Sequence, residues 1–259
     1  MSGAAELVRY ELADDIVHVT LNRPERLNAV IPALVTQLVS ALRRAIDDGP
    51  AVAVLQGAGT SFCSGFDLRY ERGERTEQEH RRQIDAVQDV TRLIRRADFP
   101  VVSAVQGFAL GNGCEFALAA DLVVAEQDAT FGFPEVGWGL SVTGGVSQLL
   151  VQALGLHRAK EMLLVGERFG AEQAQAWGLV NRVVPTGKLD AYVRELTAEL
   201  AGRPREAVAR AKRALDLVAA GPLEASLVVE VEHALLSGKS TETARTITGF
   251  TTESGGGPG

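Results

Sequence analysis

Two glutamates stand where a carboxyl group could move a proton. Glu115 follows Gly111-Asn-Gly113 at the head of an apolar stretch, and Glu135 lies in Phe131-Gly-Phe-Pro-Glu-Val-Gly137. Two carboxyl groups brought together can share general acid and base work on one substrate. Each also has a plain structural reading. Asn112 as an N-cap with Glu115 three residues on is a variant of the capping box, and Glu135 after Pro134 is a turn carboxylate. Spacing alone leaves both readings open.

Other chemistries lose their usual support. Gly57-Ala-Gly-Thr-Ser-Phe62 follows an apolar run, yet Phe62 stands where a dinucleotide fingerprint needs its third glycine, and Gly111-Asn-Gly-Cys-Glu-Phe116 fails in the same way. No P-loop pattern is present. Ser64 lies between Phe62 and Phe66, where a nucleophile elbow needs glycines. His18, His80, His157 and His233 are too far apart for a metal or triad spacing and read as surface or satisfied core residues. The two cysteines form no Cys-x-x-Cys pair, so neither a zinc site nor a disulfide framework is expected.

The elements that would position these residues alternate. Ile16–Leu21 reads as a strand, Leu34–Ile46 as a helix, and Ala51–Gln56 as a buried strand. A helix over about 77–97 follows, its arginines Arg81, Arg82, Arg92, Arg95 and Arg96 on a solvated face. Then come a strand over 100–106, an Ala-rich helix over 114–120 and a strand over 122–125. Three such β-loop-α units predict an α/β core with its function on the loops after the strands. Beyond Gly166 the chain reads as almost wholly helical: 171–177, 189–201, a helix opened by Pro204, another opened by Pro222 and a short piece over 241–250. The Gly-rich tail 251–259 has nothing to bury and reads as disordered.

With 26 Lys and Arg against 33 Asp and Glu, the net charge of −7 argues against binding nucleic acid or anionic membrane through overall charge. No apolar run approaches the ~20 residues of a membrane span. With no secretory signal in the first residues, a cytoplasmic protein is the expectation.

Asn22-Arg-Pro-Glu-Arg-Leu-Asn-Ala29, Gly57-Ala-Gly-Thr-Ser-Phe-Cys-Ser-Gly-Phe-Asp67, the stretch from Pro100 to Glu115, and Phe131–Gly137 resemble, in order, the successive signatures of the enoyl-CoA hydratase/isomerase (crotonase) family. Trp177-Gly-Leu-Val-Asn-Arg-Val-Val184 is similar to its segment before the C-terminal helices, so the likeness covers about residues 7–250. It implies an α/β fold, a crotonase-like spiral of ββα units over 1–200, with a helical C-terminal region over 201–250 that makes trimers, often paired into hexamers. The substrate implied is a coenzyme A thioester, with coenzyme A part of the substrate and no separate cofactor.

The resemblance assigns the oxyanion-binding N–H groups to Phe66 and Asn112, and the water to Glu115 and Glu135. Arg26 and Arg69 fall where the family places basic residues near the nucleotide, Ser64, Asp67 and Leu68 lie on the same coenzyme A loop, and Arg23 is structural. Retention of both glutamates points to a 2-enoyl-CoA hydratase. The alternatives are an isomerase or other acyl-CoA lyase of the family, and a non-catalytic acyl-CoA-binding member. Three departures bear on the pocket: Asn112 replaces a glycine, Phe66 a small residue, and Trp138 adds bulk near the reacting end. The basic segment that commonly follows the last helix is missing after Phe250.

Overall fold

The computed structural model describes residues 5–70 and 76–219, and single positions between 227 and 249. In chain order the elements are β1 (Val8–Ala13), β2 (Ile16–Leu21), α1 (Pro32–Asp48), β3 (Val52–Gly57), α2 (Glu77–Arg96), β4 (Val101–Val105), β5 (Phe108–Leu110), α3 (Asn112–Ala119) and β6 (Leu122–Glu126). They continue with β7 (Thr130–Gly132), α4 (Val146–Leu154), α5 (Leu156–Val165), β8 (Arg168–Gly170), α6 (Ala171–Ala176), β9 (Arg182–Val184), α7 (Leu189–Ala201) and α8 (Arg205–Ala219).

The large sheet runs β1-β2-β3-β4-β6-β9, parallel from β2 onward. Its central strands are apolar without alternation because both faces are covered: Val52, Val54, Val102 and Ala104 pack toward α7, while Ala53, Leu55, Val101 and Val105 join the main core. β1 pairs antiparallel with β2 through the two-residue turn Asp14-Asp15, both residues at positive φ. That is the handedness a tight hairpin requires.

A second ladder runs alongside. β5 pairs with β7 and β7 with β8, and single bridges continue it from Cys63 to Ala109 and from Val30 to Phe66. After β2, β3, β4 and β6 the chain therefore makes a short step in the second ladder before entering its helix, as in β4, β5, α3. This is the expected spiral of ββα turns, and it sets the loops around 65 and 111 side by side.

The short strands depart from the sequence reading. β5, β7, β8 and β9 are three residues each, too short for a period-2 pattern to register, and β8 and β9 interrupt the almost wholly helical chain expected beyond Gly166. Nor is α2's basic face merely solvated. Arg95 bridges Asp216 of α8 at 2.9 Å with both side chains half-buried, and Arg81 bridges Glu232 at 2.7 Å. α8 is further tied down by Lys212, whose buried ammonium donates to the Ile94 and Phe99 carbonyls and to Asp121. α8 begins at Arg205, with the Pro204 carbonyl accepting from the Ala207 and Val208 N–H groups. The helix expected to open at Pro222, and the tail 251–259, begin or lie outside the described residues.

Candidate active site

Two loops meet where the ladders converge. Gly65 has φ +88, and a Cβ on it would stand 2.7 Å from the Leu110 carbonyl oxygen. Gly111 has φ +51, and a Cβ there would stand 2.8 Å from Glu135 Oε1 and 3.8 Å from Gly65 Cα. Only glycine takes these conformations without strain while letting backbone approach this closely. Phe66 follows the first glycine and Asn112 the second, so their peptide groups are neighbours. Asn112 is the first residue of α3, where an N–H has no helical carbonyl four residues back. Phe66 is fixed by the bonds on either side of it, Val30 N–H to the Gly65 carbonyl and Asp67 N–H to the Val30 carbonyl.

Asn112 is therefore not the helix cap that its spacing from Glu115 suggested. Gly111 holds the capping position without a side-chain bond, and the Asn112 amide turns to the carboxylate instead. Glu115, 2 % exposed, accepts three hydrogen bonds: Oε1 from Thr143 N–H at 2.6 Å, Oε2 from Thr143 Oγ1 at 2.6 Å and from Asn112 Nδ2 at 2.8 Å. Three converging donors suit an ionised carboxylate, which is purely an acceptor.

Glu135 sits in a tight helical turn, Pro134–Trp138, and is buried. Its Oε2 has no hydrogen-bond partner among the described residues. Burial, and then the Glu115 charge, push its carboxyl from 4.5 up to about 8, against a smaller opposing pull from its own backbone N–H. The two carboxyl groups, alike in sequence, thus sit in opposite surroundings.

The proton on Glu135 has a stability consequence. The folded chain holds it up to about pH 8 while the unfolded chain releases it near 4.5, so the group's contribution falls as pH rises between those values. Glu135→Gln is expected to flatten that slope. Calorimetry at pH 5 and pH 9 should show a smaller drop in Tm for the variant than for the parent protein, and equal drops would contradict the buried, protonated Glu135.

A cavity of about 420 Å³ opens beside Glu135, lined among others by Phe66, Asn112, Trp138, Thr143 and His80, with Glu115 set behind Asn112 and Thr143. Its size suits a small-molecule site. Ser64 and Leu68 also line it. Arg26 and Arg69 are exposed outside it. Asp67 is occupied elsewhere: Oδ2 takes a 2.7 Å bond from Arg23, which also holds the Ala29 carbonyl, and Oδ1 caps the Arg69 N–H. Asp67 and Arg23 thereby brace the Phe66 loop; the sequence reading had Arg23 as structural and Asp67 as a residue of the coenzyme A loop. His80, read as a surface or core residue, faces the cavity from α2. Thr143 was missed altogether; its only sequence signal is the Gly144-Gly145 pair that follows. Among the described residues, no cluster of His, Cys, Asp and Glu could hold a metal, and no helix is long and apolar enough to cross a membrane.

Comparison with known proteins points one way. A family model described as enoyl-CoA hydratase/isomerase matches residues 11–252. A 2,3-dehydroadipyl-CoA hydratase of Escherichia coli is 36% identical over 220 residues, 83% of this chain and 84% of that one. A mevalonyl-coenzyme A hydratase of Aspergillus fumigatus is 37% identical over 195 residues, 74% of this chain and 72% of that one. A solved enoyl-CoA hydratase from Mycobacterium avium subsp. paratuberculosis superposes with a TM-score of 0.88 at 32% identity, over 95% of this chain and 99% of that one.

Proposed function

Since the chain belongs to the enoyl-CoA hydratase/isomerase family, we propose that the cavity takes the acyl end of a 2-enoyl-CoA thioester and adds water across its double bond. The thioester oxygen lies between the N–H groups of Phe66 and Asn112. These backbone donors, fixed before the reaction begins, stabilise the charge that grows on that oxygen, helped by the positive end of α3. Water sits between the glutamates. Glu115 takes a proton from it as the new C–O bond forms at the β-carbon, and the double-bond electrons move into the thioester as an enolate. Glu135 delivers its proton to the α-carbon as the enolate collapses. The product is a 3-hydroxyacyl-CoA, and proton exchange with solvent resets the pair.

The observation that carries this division of labour is the contrast between three donors on Glu115 and a buried Glu135 whose Oε2 has no hydrogen-bond partner among the described residues, surroundings that push the Glu135 carboxyl up. No separate cofactor is needed for such a sequence of proton transfers. On the same reading Ser64 and Leu68 contact the pantetheine arm and Arg26 and Arg69 the nucleotide phosphates, while Asp67 serves the loop indirectly. Trimers, paired or unpaired, in the cytoplasm complete the proposal; Leu164 and Val165 on α5 are 70% and 57% exposed, apolar surface suited to a subunit contact.

The test is to offer purified protein crotonyl-CoA, longer 2-enoyl-CoAs and an aryl 2-enoyl-CoA, following the ultraviolet absorbance of the conjugated thioester and the product mass. Loss of absorbance with the gain of one water is expected. Absorbance unchanged across the set would overturn hydration and move attention to 3-enoyl substrates for isomerisation.

A further inference from the structure

The loop that delivers Thr143 to Glu115 is itself gripped from behind. Gly144, the next residue, donates its N–H to Gln88 Oε1 at 2.5 Å, and its carbonyl accepts from Thr91 Oγ1 at 2.8 Å. Both side chains project from α2, both are buried, and Gln88 is fully inaccessible. The two peptide units that flank Gly144 are thus each held by α2, one at its N–H and the other at its carbonyl. Gln88 also has a second partner, since its Nε2 donates to the Leu227 carbonyl at 2.9 Å.

That carbonyl belongs to a stretch whose described positions are helical and which follows α2 in the opposite direction. Leu227 meets Gln88, Val231 and Leu235 cluster with Ile84, Glu232 pairs with Arg81, and Lys239 pairs with Glu77. At this level α2 lies between Leu227 and the loop of Thr143 and Gly144, and the Gln88 amide is the polar link across it. A buried amide with both ends bonded has one favourable orientation, because the reverse would set donor against donor and acceptor against acceptor.

We infer that Gln88 is a positioning residue for Glu115: seated on the Leu227 carbonyl, it fixes the Gly144 peptide, and Thr143 carries that position to the Glu115 carboxylate. Thr91 secures the adjoining 144–145 peptide through the Gly144 carbonyl. The seating of the C-terminal segment is thereby a condition for a correctly aimed base. This deepens the proposed function and rests on it for the role of Glu115 as base, though not for the geometry of the clamp.

The test uses the full chain with Gln88→Met, which keeps the volume and removes both bonds, and Thr91→Val, which removes one hydroxyl and leaves Gln88 in place. Turnover of crotonyl-CoA is read as kcat and KM separately. In parallel, NMR of protein labelled with carboxyl-¹³C glutamate follows the Glu115 resonance, assigned with Glu115→Gln. Gln88→Met is expected to lower kcat about 10–100-fold, as a displaced catalytic group does, with KM within about twofold and the Glu115 resonance shifted or broadened. Thr91→Val should do the same more weakly, and Thr91→Ser should recover most of the loss. Should Gln88→Met fail to fold, Thr91→Val and Thr91→Ser decide. Folded variants that keep the parent kcat and an unmoved Glu115 resonance would overturn the inference. If the parent protein hydrates nothing, the proposed function falls, and the resonance alone still tells whether the clamp positions Glu115.

Discussion

Glu115→Gln and Glu135→Gln are each expected to slow hydration by about 10²–10⁴-fold, the range contributed by a positioned acid or base, while moving stability in different ways. The catalytic loss is common to both because, in the proposed mechanism, each carboxyl group handles a proton of the same water or of the enolate it creates. Combining the two changes should cost little more than one alone, since groups that act as a unit give non-additive losses. Stability separates them. An amide at 115 offers one acceptor where the fold presents three donors, so a rotation that satisfies the Thr143 N–H turns an NH₂ group toward Asn112 Nδ2. Leaving a buried donor without an acceptor costs about 1–3 kcal/mol. At 135 the amide replaces a neutral acid whose Oε2 has no hydrogen-bond partner among the described residues, and above pH 8 it also removes a buried charge. Glu115→Gln should therefore melt below the parent protein and Glu135→Gln at or above it at pH 9. Steady-state kinetics on crotonyl-CoA beside thermal melts of the same preparations check this, and full activity in either variant would defeat the two-carboxyl mechanism.

That asymmetry marks where the sequence stopped being informative. Both glutamates stood out because each follows a glycine-rich or proline-containing turn, and the resemblance supplied their shared role. Nothing in the spacing could tell the two apart, because what distinguishes them is Thr143, a residue distant in the chain and brought in by a loop that carries no motif beyond its glycines. The long parallel strands were legible as apolar runs because burial on both faces leaves no room for polar alternation. The second ladder was not, since strands of three residues are held by neighbours that only the spiral brings beside them. Likewise the arginines of α2 looked like a solvated face, as charge runs usually are, until α8 and the C-terminal segment supplied Asp216 and Glu232 as partners. Asn112 illustrates the same limit at one residue. Its type suited a helix cap, but Gly111 already provided the required backbone, and the side chain found a buried carboxylate one turn on.

Gly65→Ala is expected to abolish most activity without touching any group that carries a proton. The added methyl would meet the Leu110 carbonyl oxygen at 2.7 Å, at a φ of +88 that side-chain-bearing residues rarely adopt. Both conflicts are relieved only by moving the 65–66 peptide away from β5, which takes the Phe66 N–H out of register with that of Asn112. Removing one such donor lowers kcat about 10²–10³-fold, and the melting temperature should fall as well because the Val30 bonds to this segment loosen. A loss of activity through general unfolding would look similar, so Phe66→Ala is the control: it trims the side chain from the same loop and leaves the peptide N–H. That variant should keep kcat within a few-fold and alter KM according to the acyl group, since the ring lines the cavity. The carbonyl stretch of a bound, unreactive thioester gives the decisive reading. In the parent protein and in Phe66→Ala two donors should shift it to lower frequency, and in folded Gly65→Ala much of that shift should vanish. Were the shift and kcat both retained in Gly65→Ala, the oxygen would have to bind elsewhere, and the convergence of the two glycine loops would be a matter of folding rather than of catalysis.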